Sequence, residues 1–281
     1  MKFTEWARNL RIENEYRKSL ITLCDMFERL AGLAGGNQDV YVRSMSDFQR
    51  SDAYENFINS AVARMVTPVA EANMRTWREA AKKSTKGKML YQALIEEFQQ
   101  GTFRQIQNQI IENVSLIKTL PEDTAAKVVK DIADAQLRGL RARSIEKLIV
   151  ESTSKHSRAS ARLIARTEVS KVTTAITKAR SEQLGIRWYV WRTALDGDRV
   201  RKSHRNMEGV LVNWADPPSP ERLVGEKDVG YYHAGNIWNC RCYPELLLEV
   251  DDVQWPHKVY HQGRIEKMGC LLYTSPSPRD G

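Results

Sequence analysis

No run of about 18 apolar residues occurs anywhere in this 281-residue chain, so no segment has the length and uniform apolarity of a membrane-spanning helix. The start, Met1-Lys2-Phe3-Thr4-Glu5-Trp6, is amphipathic and lacks the charged tip and apolar stretch of a secretory signal. A soluble protein without membrane partners is expected. Cysteine is scarce. Cys270 falls in Cys270-Leu271-Leu272-Tyr273-Thr274-Ser275-Pro276-Ser277-Pro278-Arg279-Asp280, which resembles a translated transposon-end sequencing adapter. Residues 270–281 are therefore set aside as foreign, with the natural C-terminus expected to be lost. The remaining Cys24, Cys240 and Cys242 are too few and too unevenly spaced for a disulfide framework, and a reducing, intracellular setting fits better. Aromatic side chains are missing between Phe103 and Trp188, which argues against stacking on the bases of single-stranded nucleic acid.

The chain has 42% hydrophobic residues, enough for one large or two modest cores, and a net charge of +8. Residues 138–180 hold eleven Lys and Arg against Glu146, Glu151 and Glu168, an excess of +8 that equals that of the whole chain. Such clustering suits a surface that meets phosphates, an acidic protein or only water. Arg158, Arg162, Lys171 and Lys178 are the candidates for contact with a duplex DNA backbone, which would be salt-sensitive and blind to sequence.

Apolar residues at helical spacing predict a helix over residues 1–33, stopped by Gly35-Gly36-Asn37. A second is predicted from about Ser46 through Lys82, with Pro68 as a candidate break, and a third from about Lys88 to Lys118. Thr119 lies three residues before Glu122, the spacing of a capping box, with Pro121 in the first turn of the helix that runs to about Leu137. After a break at Gly139, a short helix opened by Ser144 and a longer one over residues 157–184 are expected. On the latter Ala161, Ala165, Val169, Val172, Ile176 and Ala179 form the buried stripe, Lys171, Lys178 and Arg180 point outward, and Glu168 falls close enough to the stripe to need a partner. Past Gly185 the pattern turns to period two. Residues 186–193, 209–213 and 240–247 are strand candidates.

The expected fold class is α+β: an elongated helical N-terminal region over residues 1–135, then a small α/β domain with a short mixed sheet over 136–250, and a truncated segment over 251–269. Four motif pieces stand in order in the second half: Ala165-Arg166-Thr167-Glu168, then Trp191-Arg192-Thr193, then Asp196-Gly197-Asp198-Arg199-Val200-Arg201-Lys202-Ser203-His204 followed by Gly209, and last Asn239-Cys240-Arg241-Cys242. Over about residues 140–248 this ordered set resembles the Mu F-like minor head (head morphogenesis) proteins of tailed phages. The resemblance implies a non-enzymatic minor capsid protein, with portal and other capsid proteins as partners and packaged DNA nearby. It would act in head assembly, DNA packaging or delivery, located in the virion and, during assembly, in the bacterial host cytoplasm.

The residues themselves leave other chemistry open. Cys240 and Cys242, at i and i+2 on a strand, share a face and with His204 and His233 could ligate zinc, although the spacing departs from usual zinc patterns. The competing reading packs both thiols as small buried hydrophobes, with no cofactor. Asp196, Asp198, His204 and Glu168 resemble the acidic cluster of a metal-dependent nuclease. The structural reading makes Leu195-Asp196-Gly197-Asp198 a turn and Asp198 a helix N-cap, with Arg166, Glu168, Asp196, Arg201 and His204 as a buried ion-pair cluster. A prophage-borne ADP-ribosyltransferase-like effector would need Arg, then Ser-Thr-Ser on a strand, then Glu. Here Ser152-Thr153-Ser154 precedes Arg166 near a helix end, so order and context fail. No catalytic residue is assigned.

Overall fold

The computed structural model describes residues 6–7, 9–85, 87–96, 102–138, 144–194 and 200–269. The adapter-like tail, Asp196, Asp198, Arg199 and Gly139 lie outside the described residues. The element order is α1 (Leu10–Leu33), α2 (Gln38–Gln49), α3 (Asp52–Lys83), α4 (Gly87–Glu96), α5 (Thr102–Lys118), α6 (Leu120–Leu137), α7 (Ile145–Gln183), β1 (Trp188–Arg192), α8 (Lys202–Asn206), β2 (Leu211–Asn213), β3 (Tyr243–Leu246), β4 (His257–His261) and β5 (Arg264–Met268). The α+β class holds, with helices first and a mixed sheet last. The chain forms two compact units, one of residues 10–68 and 107–169, the other of residues 1–9, 69–106 and 170–281.

The helical unit is built on apolar stripes. Tyr16, Leu20, Leu23, Phe27 and Ala31 of α1 recur every three or four residues and are all buried. Asn37 does more than stop α1: its side chain accepts from the Asp39 and Val40 backbone N–H groups and so caps α2, which begins eight residues before the predicted Ser46. α2 packs on α1 and α6. Two buried hydroxyls tie distant segments together, Tyr54 donating to the Ile117 carbonyl at 2.6 Å and Thr153 to the Tyr41 oxygen at 2.8 Å.

Three expectations are corrected. α3 runs through Pro68 without a break. Thr119 forms no capping box: its hydroxyl bonds the Leu116 carbonyl and the Asp123 carboxylate instead, at 3.3 and 3.1 Å. The helices expected on either side of Ser157 are one helix, α7, because nothing between Ile145 and Gln183 breaks it: the stretch contains no Gly or Pro.

In the other unit the sheet order is β3-β1-β2-β4-β5. β1 lies between β3 and β2, antiparallel to β2 with Val190 opposite Leu211 and to β3 with Val190 opposite Glu245. β2 and β4 run parallel, and β4 and β5 form an antiparallel hairpin. That hairpin was not foreseen. Tyr189, Trp191, Val212 and Leu246 on one face join Trp77, Met74, Met207, Trp214 and Tyr232 in the main core, which also takes in Trp6, edge to face with Trp77 at 5.4 Å. Val190, Leu211 and Val259 on the other face form a smaller cluster.

Candidate functional site

The Trp191-Arg192-Thr193 and Gly209 pieces meet where β1 and β2 begin to pair. Gly209 has φ +75, a conformation in which any Cβ is strained, and its N–H donates to the Trp191 carbonyl at 2.9 Å. The preceding Glu208 accepts from the Thr193 N–H at 2.6 Å and from the Thr193 hydroxyl at 2.7 Å. Arg192 pairs with Glu208 at 3.4 Å and with Glu245 of β3. These motif residues therefore lock three strands together. Burial alone would lower the Arg192 pKa, but the two carboxylates outweigh it and hold the guanidinium above its ordinary value.

The polar corner of this unit is assembled from three segments. α8 supplies His204, a loop supplies Glu221 and Tyr232, and the segment before β3 supplies Cys240 and Cys242, all of them buried. Cys240 and Cys242 precede the strand instead of lying on it, so strand alternation is not what unites them. Asn239 turns at φ +56, and the Cys242 N–H folds back to donate to Cys240 Sγ at 3.3 Å. His204 Nδ1 lies 3.3 Å from Cys242 Sγ and 3.6 Å from Cys240 Sγ. On its far side, His204 Nε2 lies 2.9 Å from the Tyr232 oxygen, which is 2.8 Å from both oxygens of Glu221.

The proton order follows. A carboxylate can only accept, so the Tyr232 hydroxyl donates to Glu221 and must accept from His204 Nε2–H. That leaves Nδ1 facing the two sulfurs. Cys240, accepting from Cys242 and facing His204, is pushed down despite burial, and Cys242, beside Cys240 and buried, is pushed up. His204, Cys240 and Cys242 have ligand atoms within 4.8 Å of one another and line a cavity of about 160 Å³ with Val200, Arg201, Asn239 and Arg241. Chemically the trio can bind a soft cation or pass a proton between thiol and imidazole.

His233 is not in that trio. Its Nδ1 lies 3.2 Å from the Tyr189 oxygen and its ring packs edge-on against Trp214 at 4.9 Å. Burial, then the Lys178 charge, depress its pKa to about 4, partly offset by a hydrogen bond to the Trp214 backbone. Of the anticipated ion-pair cluster, Arg201 donates to the Trp238 carbonyl at 3.1 Å and lies over the Trp238 ring. Arg166 belongs to the helical unit, with Nε 3.8 Å from buried Glu13. Glu168, also buried there, adds to the burial that raises the Tyr16 pKa. Asp196 lies outside the described residues.

Of the basic candidates, Arg158 holds two carboxylates of α1, Asp25 at 2.6 Å and Glu28 at 2.8 Å, and Lys178 lies 3.3 Å from Glu182. Arg162 is exposed and Lys171 half-buried. Arg180, expected outward, is buried. It turns inward because the Ala70 carbonyl and the Asn73 side chain accept from it. Ser152, Thr153 and Ser154 lie inside α7, not on a strand. Sequence reasoning missed Glu208, Glu221 and Tyr232. The last two sit in loops without periodic pattern, and nothing local marks them as partners of His204.

Residues 126–244 match the family model described as Phage Mu protein F like protein. A Haemophilus influenzae protein described as uncharacterized is 34% identical over 140 residues, 50% of this chain and 29% of that protein. Minor head protein GP7 of Bacillus phage SPP1 is 31% identical over 156 residues, 52% of this chain and 49% of its own length. The chain thus spans less than half the length of these relatives. No solved structure matches it. Residues 126–244, which carry all four motif pieces, are thus similar to the phage Mu protein F like family.

Proposed function

We propose that this chain is a minor head protein of a tailed phage or prophage. It acts in head assembly, DNA packaging or delivery, next to the portal and other capsid proteins, in the phage head and, during assembly, in the host cytoplasm. The observation that carries this reading is the Mu F-like match over residues 126–244 together with 31% identity to a protein named Minor head protein. The motif residues support a structural role, since Arg192, Thr193, Glu208 and Gly209 are spent on joining strands. No helix of the described residues is long and apolar enough to cross a membrane.

The test is mass spectrometry of heads purified from the phage or induced prophage that encodes the chain, beside a deletion of its gene. The expected result is a few copies per head, far below the major capsid protein, and a defect in head yield or DNA content on deletion. Absence from heads at every stage, with normal particle yield from the deletion, would overturn the reading. An acidic portal surface and duplex DNA are the two partners that suit the basic stretch. The pairing of Arg158 with Asp25 and Glu28 leaves that side chain less to offer either of them.

A further inference from the structure

We propose that His204 Nδ1, Cys240 Sγ and Cys242 Sγ form a zinc site. Three features carry this. The first is distance: at Zn–S of about 2.3 Å and Zn–N of about 2.0 Å, tetrahedral geometry puts sulfur and nitrogen ligands about 3.5 Å apart. Here the sulfurs stand 3.3 and 3.6 Å from Nδ1, so one ion reaches all three with little rearrangement.

The second feature is the arrangement behind the imidazole. A metal-bound histidine characteristically donates its other ring N–H to a carboxylate or equivalent acceptor, which fixes the tautomer and strengthens the ligand. His204 Nε2–H does this through the Tyr232 hydroxyl to Glu221, and Ser203 also donates to Glu221 at 3.3 Å. A thiol pair merely filling space requires no such relay. The third is access: the three ligand atoms are buried but border a cavity of about 160 Å³, room for a fourth ligand such as water. Two thiolates and one imidazole are a soft donor set, which selects Zn²⁺ over Mg²⁺ or Ca²⁺. His233, engaged with Tyr189 and Trp214, is not a ligand.

The experiment uses the full chain, stripped by chelator and kept reduced, titrated with Co²⁺ and then Zn²⁺. The expected result is saturation at one equivalent, with a thiolate-to-cobalt charge-transfer band and the intense visible bands of a tetrahedral site, both lost on adding Zn²⁺. Cys240→Ser and Cys242→Ser should each abolish the one-equivalent step. Tyr232→Phe, which keeps all three ligands, should retain the stoichiometry and the spectrum but weaken binding by roughly 10–100-fold. X-ray absorption at the zinc edge of the wild-type chain should show two sulfur neighbours even if a serine variant fails to fold. The proposal is overturned by the absence of a saturable step, by a zinc shell without sulfur, or by thiols that alkylate equally fast with and without Zn²⁺.

Discussion

Arg180 of α7 donates through Nη1 to the Asn73 side chain of α3 at 2.5 Å, and both are buried. Asn73 in turn donates to the Thr177 hydroxyl at 2.7 Å, which leaves its carbonyl free to face the cation. Removing the amide strips a buried charged group of one of its acceptors. Asn73→Ala should destabilise the chain by about 2 kcal/mol, and Asn73→Asp by less, measured by urea unfolding. Equal midpoints for Asn73→Ala and wild type would show that the pair carries no stability.

Two glycines should respond differently to alanine. At Gly235, φ is +85 and an added Cβ would stand 2.6 Å from Thr174 Oγ1 and 2.9 Å from the Cys242 carbonyl. At Gly209, φ is +75 but the nearest atom, Arg192 Nη1, is 3.9 Å away. Gly209→Ala therefore meets backbone strain alone, about 1 kcal/mol, whereas Gly235→Ala adds a backbone clash beside the thiols and should cost upwards of about 3 kcal/mol. Thermal melts of the two variants give the order, and a reversed order would disprove it.

His233 makes stability fall with acid. Its pKa is held near 4 in the fold against an ordinary value of 6.5, with burial as the main cause. Between pH 6.5 and 4 the unfolded chain takes up a proton that the folded chain refuses, so stability drops as pH falls through that window and levels off below it. At about 1.4 kcal/mol per pKa unit the loss approaches roughly 3 kcal/mol. Urea midpoints at pH 7 and pH 4.5 measure it, and His233→Gln should flatten that limb. Asp228, lowered to about 2 mainly by the Gly230 N–H, acts only below about pH 4 and leaves the comparison clean.

If the basic stretch meets duplex DNA through about four phosphates, the log-log salt slope of affinity should be about −3.6. Arg162→Glu should then flatten the slope, while Arg158→Ala should alter it less, since Arg158 already holds Asp25 and Glu28. A gel-shift series at low salt decides: no shift at micromolar protein removes DNA and leaves a protein partner for this surface.

The α1 and α7 stripes and strands β1 to β3 were legible because their periods repeat. Val190 and Leu211 sit in apolar runs beside glycines that punctuate them. The β4–β5 hairpin was not legible: His257-Lys258-Val259-Tyr260-His261 has polar residues at both ends and contributes mainly Val259 and Tyr260 to burial. The inward turn of Arg180 was also hidden, because its acceptors lie 107 and 110 residues away and helical phase alone assigns a cation to water. At the candidate site His204, Cys240 and Cys242 were visible as residue types. Their support by Tyr232 and Glu221 depends on loop paths that no local pattern encodes.

Glu249, just past β3, accepts from the Ser84 hydroxyl and from the Thr85 N–H and hydroxyl at 2.6–2.9 Å. Those residues are synthesised some 165 positions earlier, and Trp6 earlier still, yet both belong to the unit whose sheet closes only with β4 and β5. On the ribosome this unit cannot complete the core around Trp6, Met74 and Trp77 until the strands from Tyr189 to Tyr260 have emerged. The helical unit, complete once residue 169 is out, can fold first. The interval between the two is when the nascent chain is most exposed to aggregation and most in need of a chaperone.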